Sequence, residues 1–162
     1  MANQEEPSQQ IQLALIHEMR LRPPCGIDSQ QIRAKLDTSG ELKGFCGITV
    51  SVSDLGGHNG LPGRVLIDVR VRVTIWTHVD EDQDGSLCDN LASEARKLLP
   101  MLNENGNDWT LPPLDGWAVR FPGVIQTGEP ELSDDGAYRV KELSTTMFLQ
   151  NKHLEQGEKY YG

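Results

Sequence analysis

The sequence predicts an α+β domain. Its expected form is an antiparallel sheet of about four strands in two hairpins, with an N-terminal helix and a central amphipathic helix packed on it. Three observations lead there. Residues 63–78 alternate, with Val65, Ile67, Val69, Val71, Val73 and Ile75 at odd positions. The even positions hold Leu66, Asp68, Arg70, Arg72, Thr74, Trp76 and His78. Successive strand side chains point to opposite faces, so one face is a β-branched row and the other carries charge and hydroxyl. Residues 86–103 set Leu87, Leu91, Ala95, Leu98 and Leu102 at helical spacing, flanked by Cys88, Ala92 and Leu99. Residues 137–150 alternate again, with Leu143, Thr145, Met147 and Leu149 on one face.

The elements follow in order. Residues 1–7 are polar and acidic and read as disordered; a single domain is expected over 8–150 and a polar tail over 151–162. Pro7 or Ser8 can start a helix through Gln9 to Arg20, with Ile11, Ala14, Leu15 and Met19 on one side. Pro23 and Pro24 stop it. Residues 25–43 admit two readings, a short helix capped by Ser29 and holding Ile32 and Leu36, or a loop. Phe45–Ser53 reads as the first strand, with Cys46, Ile48, Val50 and Val52 on one face. Asp54–Gly63 is rich in turn formers and makes the loop of a long-looped antiparallel hairpin.

Asp80–Gly85 is an acidic turn, and a helix runs from Ser86 to about Asn103. Ser86 and Asp89 resemble a capping pair, and Pro100 should kink or shorten the end. A polar loop, Asn103–Asn107, leads toward Trp117–Phe121, a short strand interrupted by Pro122 and Gly123. Val124–Gln126 continues it, and Glu129–Gly136 is an acidic turn before the last strand.

Bulk properties exclude several functions. At 162 residues the chain holds one modest core. Hydrophobic content of 37% and aromatic content of 6% are low, so some segments are expected to pack only within an assembly. A net charge of −9 argues against coating nucleic acid, which needs excess Lys and Arg. No apolar run approaches the roughly 20 residues of a membrane span. Met1–Ser8 is too polar for a secretory signal. Cys25, Cys46 and Cys88 are odd in number and far apart, which suits reduced thiols in a cytosolic protein.

Candidate chemistry is sparse. Asp80, Asp82, Asp84 and Gly85 match the opening of an EF-hand calcium loop, but the twelfth position is Leu91 and Glu94 comes three residues too late. A strand precedes the motif where a helix should. A solvated strand-to-helix turn is the expected reading, and a small cytosolic cation-binding domain using Asp80–Asp84 is the alternative from a different class. Gly56, Gly57, Gly60 and Gly63 connect strand to strand and lack the helix start and Lys of a phosphate cradle. His17, His58, His78 and His153 are scattered, and no Gly-x-Ser-x-Gly elbow exists. The expectation is no enzyme, no metal and no cofactor. Arg70 and Arg72 share a face with Asp68. They read either as cross-strand ion pairs on a wet face or as an intersubunit surface, where arginine is enriched.

The second half runs strand, acidic turn, amphipathic helix and hairpin, through Trp117–Phe121, Thr127–Glu131, Asp134–Arg139 and Leu143–Phe148. This arrangement, with its closing Asp-Gly-x-Tyr-Arg segment at 135–139, resembles the tail terminator proteins of long-tailed bacteriophages and the related tail-completion and neck proteins. The resemblance covers about residues 8–150 and leaves out the loop 54–63 and the tail 151–162.

It implies a structural virion protein without catalysis: a hexameric ring that caps the tail tube and joins tail to head. The implied partners are further copies of the chain, the tail tube protein and head-proximal connector or neck proteins. DNA would pass through an acidic lumen without specific binding. The implied location is the virion tail or neck, with host cytoplasm during assembly. On this reading Asp68, Arg70, Arg72 and Trp76 face a neighbour or the lumen. His58, Asn59 and Leu61 meet the tube or neck, and Asp80, Glu81, Asp82 and Asp84 meet a basic partner. Another neck, adaptor or baseplate component is the nearest alternative.

Overall fold

The computed structural model describes residues 7–24, 27–34, 46–57, 66–99, 114–121, 125–134 and 136–151. It has an α+β fold, with helices α1 (Pro7–Leu21) and α2 (Ser86–Leu98) on one side of a single sheet. The strands are β1 (Ile32–Ala34), β2 (Cys46–Gly57), β3 (Leu66–His78), β4 (Trp117–Phe121), β5 (Gln126–Thr127), β6 (Glu131–Leu132) and β7 (Tyr138–Asn151). Their order is β1-β2-β3-β7-β4, and β5 and β6 join β4 along the same edge of β7.

The sheet therefore departs from the expected four antiparallel strands. It has seven strands among the described residues and is mixed, because β1 runs parallel to β2 with Ile32 opposite Ile48. The additional strands β1, β5 and β6 have two or three residues each, too few to show alternation. Ser29 does not cap a helix carrying Ile32. Asp28 caps a single 3-10 turn, Ser29–Gln31, through a reciprocal capping box, and Ile32 opens β1. Leu36 lies outside the described residues.

The two expected hairpin partnerships are present. β2 pairs antiparallel with β3 from Cys46↔Thr77 to Gly57↔Ile67, with an irregularity between Asp54 and Gly56. Strand pairing thus runs into what reads as loop, through Gly57; Gly56 supplies the positive φ of 93° there. β7 pairs with β3 from Leu66↔Gln150 to His78↔Tyr138 and with β4 from Trp117↔Asn151 to Phe121↔Phe148. The acidic segment 129–136 is not all turn, since Glu131 and Leu132 form β6 against Val140 and Arg139.

The β-branched row of β3 faces the helices. Ile67, Val69, Val71, Val73 and Ile75 are buried beside Ile48 and Val50 of β2 and Leu143, Met147 and Leu149 of β7. Ile11, Leu15, Ile16 and Met19 of α1 and Leu91, Ala92 and Ala95 of α2 close this core. Each fully buried Val or Ile contributes about 1.5–3 kcal/mol, so a one-residue slip of β3 would expose its whole row.

Polar side chains of α1 tie it to the rest of the fold. Gln12 accepts the Val52 N–H at 3.1 Å, and Arg20 Nε donates to the Ile32 carbonyl at 2.9 Å. The Gln10 amide spans the Asp115 backbone, accepting its N–H at 2.6 Å and donating to its carbonyl at 3.2 Å. α2 ends at Leu98, short of the expected Asn103; Leu99 caps it, still in helical geometry with its N–H on the Ala95 carbonyl, and Pro100 after it has no N–H to carry the ladder on.

Candidate subunit interface

The even positions of β3 divide into two regions. At its C-terminal end they are covered. Trp76 is only 1% exposed and packs edge-on against Tyr138, with centroids 5.7 Å apart; Tyr138 meets His78 at 5.0 Å in the same manner. Gly47 lies directly across from Trp76. A Cβ at Gly47 would fall inside the indole, 2.8 Å from Cε2 and 2.9 Å from the Gln31 carbonyl. Trp76 was expected on a contact surface. It sits on the expected face, but its own chain covers it, so it is not an interface residue.

The middle of the same face is open among the described residues. Cross-strand register lays down polar rows. Ser51, Arg72, Ser144 and Gln126 align across β2, β3, β7 and β5, and Ser53, Arg70 and Thr146 align beside them. Thr74 and Glu142 form the next pair. Arg70, Arg72, Gln126, Glu142, Ser144, Thr145 and Thr146 line a pocket of about 390 Å³. Arg72 Nε approaches Glu142 Oε1 at 3.9 Å, a loose pair with both side chains about half exposed. Exposed pairs of this kind contribute about 0–1 kcal/mol. No carboxylate of the described residues pairs with Arg70. Asp68 is half-buried on the same strand face and has partners of its own.

The second predicted region, the acidic turn after β3, splits by role. Asp82 is not a contact residue: it is 3% exposed, and protein donors occupy its carboxylate. Oδ2 accepts from the Thr77 hydroxyl at 2.8 Å and the Cys88 N–H at 3.0 Å, and Oδ1 accepts from the Leu87 N–H at 2.9 Å. An acidic group at the start of α2 caps free N–H groups and suits the helix dipole. The expected Ser86 cap makes no such bond; Gly85, at φ 81°, occupies the N-cap position itself. Arg139 of β7 clasps the turn, donating from Nε to the Asp82 carbonyl at 2.8 Å and from a terminal nitrogen to the Gln83 carbonyl.

The other acids of the turn project outward. Asp80 and Glu81 are exposed, and the Asp80 side chain is 82% accessible. Asp84 is exposed too; hydrogen bonding from Ser86 holds its carboxyl below the ordinary value. No group of three or more His, Cys, Asp or Glu among the described residues is arranged to hold a metal. No helix among them is long and apolar enough to cross a membrane. His58, Asn59 and Leu61 lie outside the described residues, as does Cys25. Cys46 and Cys88 are buried thiols outside any disulfide, and burial raises the pKa of each.

Residue-level reading of the sequence named Arg70 and Arg72 but missed the rest of their pocket. Ser144, Thr146 and Glu142 occupy the even positions of β7, and Ser51 and Ser53 share their face on β2. Their alternation was the available signal. Gln126 carried none, because a two-residue strand has no pattern.

No family model and no curated protein matches the chain. Seven solved chains match it. One of them, which carries a sequence identifier where a descriptive name would stand, aligns with 88% of this chain and 91% of its own. The TM-score is 0.55 at 14% identity, so the likeness is one of fold alone.

Proposed function

We propose that this chain is a structural subunit of a long-tailed bacteriophage virion, a tail-terminator-like protein that assembles into a ring, caps the tail tube and joins tail to head. The single observation that supports the reading most is the asymmetry of the sheet. One side carries both helices and the whole core. The other presents polar rows three and four strands wide, with a helix on neither row among the described residues. A two-layer domain with an uncovered, hydrogen-bonding sheet face suits contact between subunits. The reading assigns no catalysis to the chain, and its mechanism is interface geometry. A head-to-tail contact that closes on itself forms a ring and stops, where one that does not close grows a filament.

The test is the solution mass and negative-stain image of the purified chain, with and without tail tubes. Sixfold rings that bind tube ends are the expected result. Rings that ignore tubes but bind connector proteins would point to a neck or adaptor component instead. A compact monomer inert toward both would overturn the reading.

A further inference from the structure

We infer that the Arg70–Arg72 pocket receives the acidic turn, Asp80, Glu81 and Asp84, of a neighbouring copy of the same chain. The inference rests on the ring reading and specifies its contact.

Complementary charge identifies the occupant. The chain carries a net charge of −9, so copies repel unless a basic spot meets an acidic one. The pocket supplies the basic spot: two arginines beside the hydroxyls of Ser144 and Thr146 and the Gln126 amide. These are donors suited to carboxylates, and Arg presents them in a fixed fork. Arg70 has no acidic partner among the described residues, and Arg72 has only the loose contact with Glu142.

The acidic turn is built to be presented. Asp82 pins it from below, Arg139 clasps its backbone, and Asp80, Glu81 and Asp84 point outward. A turn held this way loses little freedom on docking, which lowers the cost of association. It cannot reach its own pocket. Arg72 and His78 are separated by about 20 Å of strand, and the turn then leads to α2 on the opposite side of the sheet. Pocket and turn are thus two different patches of one subunit, as a head-to-tail contact requires.

The experiment uses the full chain and follows assembly against concentration by light scattering and native mass spectrometry. Three variants are compared with the wild type: Arg70→Glu with Arg72→Glu, Asp80→Lys with Glu81→Lys, and all four together. These side chains are surface groups, so thermal midpoints should hold and report intact folding. Each charge reversal should raise the concentration for half-assembly about tenfold or more, and the fourfold exchange should restore it. Rising salt should weaken wild-type assembly. A wild-type ring whose assembly the reversals leave unchanged overturns this contact and spares the ring reading. Rings that persist but lose tube binding in the arginine variant assign the pocket to the tube protein, which also overturns it. A wild-type chain monomeric at every concentration and inert toward tail tubes and connector proteins sinks both readings.

Discussion

The Thr77 hydroxyl donates to Oδ2 of Asp82 at 2.8 Å, in a site where both residues are buried. Through this bond the end of β3 sets the position of α2, because the same carboxylate accepts the first N–H groups of the helix. Asp82→Ala would leave three donors without their acceptor, two of them buried. The expected loss is about 2–4 kcal/mol of unfolding free energy, read from urea denaturation. Thr77→Val removes a single bond and should cost about 1 kcal/mol. An Asp82→Ala chain as stable as wild type would show that the capped turn is incidental.

A second expectation concerns the Gly47–Trp76 contact. Adding one methyl at Gly47 drives it into the indole and the Gln31 carbonyl, so Gly47→Ala should destabilise by about 1–3 kcal/mol. Gly136→Ala is a useful contrast. Its Cβ would meet nothing within 4 Å, so any loss there comes from backbone strain at φ 72° and not from a clash. A Gly47→Ala chain as stable as wild type would rule out the clash with the indole.

Thr145 offers a gain. Its hydroxyl is buried without a hydrogen-bond partner, opposite Val71. Thr145→Val keeps the branched shape and removes a desolvated polar group. It should stabilise by about 1 kcal/mol, or raise Tm by about 2–4 °C for a chain of this size. A fall in Tm would mean that the hydroxyl has a partner after all.

These predictions show what sequence reading can reach. The rows at Val65–Ile75 and Leu143–Leu149 were legible because long strands repeat their pattern enough to separate it from chance, and so was the stripe of α2. Asp82 was legible only as one acid among four. Its neighbours in space, Thr77 and Cys88, are near in sequence, but Arg139 of β7, which clasps the backbone of the turn, is remote, and local pattern does not encode that contact. Trp76 lay on the predicted face, yet its ring packs against Tyr138 and over Gly47, both remote along the chain. The arginine pocket was half legible, since Gln126 reaches it only through a two-residue strand.

The thiols give a chemical test. Thiolate is the reactive form, and burial raises the pKa of both Cys46 and Cys88. In a Cys25→Ser chain at pH 8, alkylation of the folded protein should run about a hundredfold or more slower than in urea. Fast labelling at either site would place it in a segment that opens readily.

Acid stability carries a signature of Asp84. Its folded pKa is depressed, so its contribution is present above the unfolded value and disappears as pH falls through the folded one. Asp84→Asn should therefore differ from wild type at neutral pH and converge with it in acid. A gap that stays constant across both ranges would exclude this carboxylate as the source.

The central place of β7 bears on how the chain comes off the ribosome. β3 acquires its β2 partner early, but its other edge stays bare until residues 138–151 emerge, and β4, β5 and β6 have nothing to join before then. Between His78 and Tyr138 a nascent chain thus carries a long, unpaired strand edge, a template for pairing with other chains. Fragments ending before Tyr138 should aggregate, and yield in a host should depend on chaperones that shield β3 until translation ends.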